Sequence, residues 1–165
     1  MMIRDATADD LPAQMRLYPL AFPDEDLRPL LCRLASAPDV LSRVALDGPD
    51  VVGHLAVTPC LPVGVVLLGP VAIAPRCQRQ GLGRRMITDA AALMATRGAT
   101  QMQVLGDPGY YSRLGFRPDR ALAPPYALPR DWDGAWQVML LTDAPALTGQ
   151  LQVPAIWADP ALWGP

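Results

Sequence analysis

The sequence contains no lysine, and it contains only one glutamate and one histidine among its 165 residues. Without lysine the chain has no Walker loop, because that loop places a lysine against the phosphates of a nucleoside triphosphate. The single histidine, the separated cysteines and the dispersed carboxylates give no recognisable ligand set for a metal ion. We therefore expect neither nucleotide hydrolysis of the Walker type nor a metal cofactor.

Targeting and membrane signals are also missing from the sequence. The N-terminus has no basic segment followed by a long apolar core, and glycine and proline break the longest apolar run before it reaches the roughly 18 residues of a membrane span. Cys32, Cys60 and Cys77 are odd in number and have no CxxC spacing, which favours reduced thiols. These absences predict a cytoplasmic protein that does not act at a membrane.

Length and charge narrow the remaining classes of fold and of binding partner. Residues 1–165 are predicted to form a single domain, which at this size buries roughly two-thirds of its unfolded surface. The net charge of −2 argues against a nucleic-acid partner. All positive side-chain charge apart from histidine comes from arginine, and four arginines cluster around one glycine turn: Arg76, Arg79, Arg84 and Arg85.

The stretch from Leu61 to Gly98 organises the chain. Residues 61–75 are too apolar and too rich in β-branched side chains for an exposed loop, so they predict a central strand. From Gly83 the apolar residues recur at helical spacing and Gly98 stands where a left-handed C-cap is expected, which predicts a helix of about four turns. Two glycines in the segment from Gln78 to Gly83 favour main-chain amides that point outward at a helix N-terminus. Such a turn is suited to hold an anion.

The spacing of this turn distinguishes between anion-binding loops. A Rossmann fingerprint needs a small residue three positions after Gly83, where Met86 stands, so it is excluded. Gln78, Gly81 and Gly83 instead resemble the acyl-CoA pyrophosphate loop of the GNAT acetyltransferase superfamily. A second block, residues 106–116 with the sequence GDPGYYSRLGF, resembles the short helix that follows the fifth strand in that family.

This second block, together with the segments AWQVML and GQLQVPAIW, is similar to a bacterial branch of the superfamily, the YhbS-like N-acetyltransferases. The resemblance implies an α/β (α+β) chain with the GNAT acyl-CoA N-acyltransferase fold. That fold is a mixed, mostly antiparallel sheet of six to seven strands, with splayed fourth and fifth strands and helices on both faces. The resemblance also implies acetyl-CoA as co-substrate and an amine as acceptor.

The resemblance further implies which residues contact CoA. Pro70 interrupts the predicted central strand, and in this fold the pantetheine arm pairs with the freed backbone of that strand. Arginines near the turn suit the phosphates, since a guanidinium contacts phosphate oxygens in pairs. The expected cofactor-binding residues are Val71, Ala72 and Ile73 in the strand, and Gln78, Arg79, Gln80, Gly81, Leu82, Gly83 and Arg84 in and after the turn.

Turn signals and hydrophobic periodicity predict the remaining elements. Thr7 followed by Asp10 indicates a capping box at the start of the first helix. Predicted helices cover residues 7–18 and 24–35, and predicted strands cover residues 3–6, 41–47, 51–58, 100–105 and 134–141. Residues 147–163 give no clear prediction.

Acyl transfer from a thioester to an amine needs a proton for the departing thiolate and a base for the amine. By the resemblance Tyr111 is the general acid, and a phenol with a pKa of about 10 is a credible donor to a thiolate of about 8.5. Glu25, expected with Asp24 and Asp26 at a helix N-terminus, would attract a cationic amine and take its proton. His54 is the other candidate base. Each has a structural alternative, a solvated helix terminus for Glu25 and a hydrogen-bonded core residue for His54.

Two functions fit these features. The first is an N-acetyltransferase that moves acetyl directly from acetyl-CoA to a small-molecule amine or to a protein or peptide amine. The second is a non-catalytic CoA-binding or regulatory module of the same fold, which the uncertain base leaves open. Tyr110 is expected to pack against the sheet. Four tryptophans are candidates for a homodimer interface: Trp132, Trp136, Trp157 and Trp163.

Overall fold

The structure is a computed structural model that describes every residue from Met1 to Pro165. The helices are α1 (Leu11–Ala21), α2 (Arg28–Ala35), α3 (Leu82–Thr96) and α4 (Pro108–Tyr111). The strands are β1 (Met2–Asp5), β2 (Leu41–Asp47), β3 (Asp50–Pro59), β4 (Val65–Ile73), β5 (Gln101–Leu105), β6 (Arg117–Pro118), β7 (Leu122–Ala123), β8 (Trp136–Leu140) and β9 (Gly149–Gln150). None of the helices combines the length and the apolarity that crossing a membrane requires.

Seven strands form one sheet in the order β1-β2-β3-β4-β5-β8-β6, while β7 and β9 pair in parallel as a second, two-stranded sheet. The pairs β1–β2, β2–β3, β5–β8 and β8–β6 are antiparallel. The predicted α/β fold with a mostly antiparallel sheet of six to seven strands is therefore confirmed. β4 continues through Pro70, as the prediction of a central strand requires.

The chain folds as two compact units. The first comprises Met1–Thr58 and Leu68–Ala90, and the second comprises Pro59–Leu67 and Ala91–Pro165. β4 and α3 each contribute residues to both units. That residues 1–165 behave as a single domain stays a prediction.

In the first unit, the entry into α1 follows the predicted capping box. The main-chain N–H of Thr7 donates to the carboxylate of Asp10 at 2.7 Å, and Arg4 forms an ion pair with the same carboxylate at 2.7 Å. A short 3-10 turn precedes α1, which begins at Leu11 and reaches Ala21, past the predicted end at residue 18. These contacts hold the pKa of Asp10 at about 2, chiefly because the Arg4 guanidinium hydrogen-bonds its carboxylate.

The second helix begins later than predicted. α2 starts at Arg28 instead of Asp24, and Pro29 lies in its first turn, where the missing N–H removes no helical hydrogen bond. Before the helix, the carboxylate of Asp26 accepts hydrogen bonds from the main-chain N and the Nε of Arg28 at 3.2 and 2.8 Å. The acidic residues around Glu25 therefore lie in the segment between α1 and α2, and the prediction that they form a helix N-terminus is wrong.

In the second unit, buried glutamines connect the sheet to the C-terminal segment. Gln101 and Gln103 on β5 are 1% and 0% exposed. Gln101 Nε2 donates to Gln103 Oε1 at 2.8 Å, and Gln103 Nε2 donates to Asp119 at 2.9 Å. The main-chain N–H of Leu147 donates to Gln101 Oε1 at 2.8 Å. This hydrogen-bonded chain satisfies polar groups whose burial would otherwise be unfavourable.

Three tryptophans form an aromatic cluster in the same unit. Trp136, Trp157 and Trp163 are 5%, 8% and 2% exposed, and the ring of Trp163 lies 5.7 and 6.1 Å from the other two. The indole N–H of Trp136 donates to the carbonyl of Leu122 at 2.8 Å, which fixes its ring. Because these three side chains are buried in their own unit, the prediction that they form a dimer interface is wrong, whereas Trp132, the fourth candidate, is only half-buried. A homodimer through other surfaces stays a prediction.

Candidate functional site

The turn before α3 is open to a ligand through its backbone. Arg79 and Gly81 both have left-handed backbones, with φ of 60° and 82°. The structure shows no hydrogen bond from the main-chain amides of residues 79–83 to any other part of the protein. A Cβ added at Gly81 would meet no atom within 4 Å, so glycine is needed there for its conformation and not for space. The unpaired amides lie just before and at the N-terminus of α3, where the helix dipole favours negative charge.

Two glutamine side chains hold the shape of this turn. Gln78 Nε2 donates to the carbonyl of Ile73 at 3.0 Å, and Gln80 Nε2 donates to the carbonyl of Arg76 at 2.9 Å. Gln78 thus connects the turn to the end of β4, and Gln80 connects it to the short 3-10 turn at Pro75–Cys77. Both side chains bond to the protein's own backbone and so stabilise the shape of the turn.

The four clustered arginines differ in whether the protein already supplies a partner for the guanidinium. Arg76 forms an ion pair with Asp47 at 2.8 Å, and Arg85 donates to a main-chain carbonyl of the first residue at 3.3 Å. Arg79 is exposed and has no ion pair or hydrogen bond in the protein. Arg84 is exposed in the first turn of α3. An anion at the turn would therefore meet unpaired amides and at least one uncommitted guanidinium, which fits the diphosphate of CoA.

The predicted strand contacts lie just before this turn. Ala72 is buried at 1% exposure, while Val71 and Ile73 are half-buried. The carbonyl of Ile73 accepts the Gln78 amide, which leaves it one further lone pair. The strand segment and the turn thus form one continuous stretch of backbone in the first unit.

Tyr111 lies at the end of α4 in the second unit. Asp107 caps this helix, because its carboxylate accepts a hydrogen bond from the main-chain N–H of Gly109 at 2.9 Å. The Tyr111 ring rests on Gly106 so closely that an added Cβ there would collide with ring carbon Cε2. Phe116 meets the ring edge-on, with centroids 5.5 Å apart.

The Tyr111 ring is packed against the protein, but its hydroxyl has no hydrogen-bond partner there. Burial raises the pKa of Tyr111 above its ordinary value. The hydroxyl makes no hydrogen bond in the protein and is not among the buried polar atoms without a partner, so it reaches solvent. Tyr110 is 40% exposed, and the prediction that Tyr110 is the packing residue of the pair is wrong, because Tyr111 covers Gly106.

Gln137 is a neighbouring residue that sequence reasoning missed. It is fully buried on β8, and its Nε2 donates to the carbonyls of Gly106 and Ala135 at 3.2 and 3.4 Å. Its Oε1 is buried without a partner. Gln137 therefore holds the peptide on which the Tyr111 ring rests. No sequence signal marked it, because a glutamine in a strand has no characteristic spacing.

The two candidate bases lie in contrasting surroundings in the first unit. His54 is 1% exposed, with Nδ1 2.7 Å from the Tyr18 hydroxyl and Nε2 2.8 Å from the Ser42 hydroxyl. Burial lowers the pKa of His54 to about 4, so the ring is neutral at pH 7. Glu25 is exposed, and its side chain has no ion pair or hydrogen bond. The geometry favours the structural alternative for His54 and leaves Glu25 accessible.

A sequence model of the acetyltransferase (GNAT) family matches residues 7–116, which include both the turn and Tyr111. The chain is 31% identical over 147 residues to YjhQ of Escherichia coli K12, an uncharacterized N-acetyltransferase, and the match covers 83% of this chain and 79% of that one. It is 33% identical over 111 residues to YhbS of the same strain, with 62% and 64% covered.

Solved structures show the same similarity. The crystal structure of E. coli YhbS in complex with CoA matches with a TM-score of 0.86 at 25% identity, covering 96% of this chain and 92% of that chain. A GNAT acetyltransferase from Brucella melitensis in complex with acetyl-CoA matches with a TM-score of 0.74 at 25% identity, covering 94% and 97%. The E. coli ribosomal-protein-S18-alanine N-acetyltransferase, 18% identical with a TM-score of 0.70 and 87% and 96% covered, shares the fold.

Proposed function

The chain belongs to the acetyltransferase (GNAT) family, and from that membership we propose that it moves the acetyl group of acetyl-CoA directly to the amine of an acceptor. The observation that carries this proposal is the row of unpaired main-chain amides at residues 79–83, beside the N-terminus of α3. The CoA and acetyl-CoA complexes of the two structural relatives support the same donor. When bound, acetyl-CoA supplies the thioester whose acetyl group is transferred.

The cofactor contacts follow from the turn and strand geometry. The amides of residues 79–83 would hold the diphosphate, with Arg79 and Arg84 supplying positive charge. Gln78 and Gln80 keep those amides pointed outward through their bonds to the backbone. Val71, Ala72 and Ile73 would offer backbone groups to the extended arm of the cofactor, and Leu82 and Gly83 place the helix N-terminus behind the phosphates.

Tyr111 is the proposed proton donor. The acceptor nitrogen forms the new C–N bond as the C–S bond breaks, and the Tyr111 Oη–H donates a hydrogen bond to the sulfur that leaves as a thiolate. The raised pKa keeps this hydroxyl protonated at neutral pH. Full transfer to a thiolate with a pKa of about 8.5 is then uphill, so Tyr111 acts first as a hydrogen-bond donor that stabilises the departing sulfur.

Glu25 is the proposed base, through its exposed position between α1 and α2. With Asp24 and Asp26 nearby in sequence, it would attract a cationic amine and accept its proton, directly or through water. His54 would act as a base only by giving up its bonds to Tyr18 and Ser42. We therefore place it second.

One observation keeps the non-catalytic alternative open. No hydrogen bond or ion pair orients the Glu25 side chain, whereas catalytic bases are commonly held in place by a neighbouring group. A CoA-binding or regulatory module would need the turn but not an oriented base. The proposed acceptor is a small-molecule amine or a protein or peptide amine.

The experiment that separates the two functions follows release of free CoA thiol from acetyl-CoA with a panel of small amines and peptides. We expect at least one amine to raise thiol release above slow hydrolysis, and Tyr111→Phe to reduce that rate. Tight CoA binding with no amine-dependent release by the wild-type protein would favour the binding module. A protein that does not bind CoA would contradict both.

A further inference from the structure

The second unit contains a cavity that none of the proposed catalytic residues lines. It has a volume of about 540 Å³ and is formed by the segment between β6 and β8, within residues 118–136. This volume lies in the range of pockets that hold small molecules. Its apolar wall consists of Pro118, Pro124, Ala127, Leu128, Pro129, Trp132 and Trp136.

The wall is held by ring packing and a fixed turn. The Trp136 indole donates to the carbonyl of Leu122, so its ring cannot rotate away from the cavity without losing that bond. Gly134 has a left-handed backbone with φ of 79°, which returns the chain to β8 after the Pro129–Trp132 turn. These contacts fix one side of the cavity, which is open to solvent.

The polar groups around the cavity differ in whether the protein already satisfies them. The Asp119 carboxylate accepts hydrogen bonds from Gln103 Nε2 and from the main-chain N–H groups of Ala121 and Leu122. Asp133 is the ion-pair partner of Arg120, with 3.4 Å between nitrogen and oxygen. Both acidic groups are therefore engaged.

The remaining polar groups are donors. The Arg130 guanidinium has no ion pair or hydrogen bond in the protein, and the indole N–H of Trp132 donates to no protein atom. Arginine binds carboxylates through two parallel hydrogen bonds, and an indole N–H can add a third. The cavity is thus lined both by uncommitted donors and by apolar side chains that can contact the rest of a ligand.

From these contacts we propose that the cavity binds a small amphipathic carboxylate. Its carboxylate would contact Arg130 and the Trp132 indole N–H, and its apolar or aromatic body would lie against the prolines and Trp136. The test of this binding needs neither acetyl-CoA nor an acceptor.

The test uses the full chain labelled with ¹⁵N and observes the indole N–H signals of its four tryptophans. Trp132→Phe assigns the Trp132 signal by removing it. Titration with 3-phenylpropanoate is expected to shift the Trp132 signal and to reach saturation. The neutral 3-phenylpropan-1-ol and the cationic 3-phenylpropylamine, at matched ionic strength, should bind at least about tenfold more weakly, because they cannot form a charge-assisted pair with Arg130.

Two arginine variants make the test specific. Arg130→Gln should weaken 3-phenylpropanoate binding about tenfold, and Arg130→Lys should retain part of it because the charge remains while the paired donors are lost. Arg97→Gln, an exposed arginine of the same unit outside the cavity, is the matched control and should bind normally. Equal binding of the acid, alcohol and amine, unchanged affinity in Arg130→Gln, or no saturable shift of the Trp132 signal would each overturn the proposal.

Discussion

The burial of His54 leads to a quantitative prediction of how the free energy of unfolding depends on pH. Burial lowers the pKa of His54 to about 4, whereas an unfolded histidine has a pKa of about 6.5. At a pH between these two pKa values, the unfolded chain binds a proton at His54 that the folded protein does not bind. The free energy of unfolding must therefore fall as the pH drops below about 6.5. The loss grows to a limit of about 3.4 kcal/mol, since each pKa unit corresponds to about 1.36 kcal/mol.

Urea denaturation between pH 7.5 and 4.5 measures this effect. With these pKa values, the free energy of unfolding should fall by about 2.5 kcal/mol across that range because of His54 alone. The chain has no other histidine, and most carboxylates titrate lower, so the upper part of this window isolates one group. His54→Gln should be less stable than wild type at pH 7.5, and its stability should change far less with pH.

A matched variant separates titration from hydrogen bonding. Ser42→Ala removes the hydroxyl 2.8 Å from His54 Nε2 but leaves the imidazole. It should lower stability by about 1 kcal/mol while keeping the wild-type pH slope. If wild type and His54→Gln showed the same slope between pH 6.5 and 4.5, the account of a buried neutral imidazole would be refuted.

Three further predictions concern the turn and the tyrosine. Gly81→Ala should lower stability by about 1 kcal/mol, because alanine is strained at a φ of 82°, and it should also weaken CoA binding. Gly48 is also left-handed and uncrowded, so Gly48→Ala is the control. It should show the same stability loss in urea denaturation but bind CoA normally by calorimetry. Tyr111→Phe should lower kcat about a hundredfold or more with an unchanged Kd for CoA, and an unchanged kcat would exclude it as proton donor. Gln137→Leu removes the hydrogen bond to Gly106 together with the buried Gln137 Oε1 that lacks a partner, so stability should stay within about 1 kcal/mol of wild type. Steady-state kinetics should show a lower kcat with little change in KM. A changed KM at constant kcat would contradict the positioning role.

The parts of the fold that sequence predicted well depend on local signals. The turn at Gln78–Gly83 and the helix after it follow from glycine conformation and apolar spacing, which involve only neighbouring residues. The predicted strand at residues 41–47 matches β2 at both ends for the same reason. The second helix was predicted to begin at Asp24 but begins at Arg28, because Asp26 forms a local turn with Arg28 that competes with helix formation.

The parts that sequence could not predict depend on contacts between distant residues. Gln103 meets Asp119 and Gln137 meets Gly106 only after the strands have paired. Tryptophans that pattern alone suggested for an interface are buried because Trp136 and Trp163 pack together across 27 residues of sequence, from position 136 to position 163. Likewise, only the structure shows that the Arg130 guanidinium and the Trp132 indole N–H have no partner in the protein, while Asp119 is already hydrogen-bonded. Such pairings carry no spacing rule that a single sequence displays.

The central claim is that the main-chain amides of residues 79–83 bind the diphosphate of CoA. Amide NMR spectra of the ¹⁵N-labelled protein, recorded during titration with CoA and separately with pantetheine, test it directly because pantetheine lacks the diphosphate. The account predicts that the amide signals of residues 79–83 shift strongly with CoA and little with pantetheine. Equal shifts with both compounds, or no shift of these amides at saturating CoA, would contradict it.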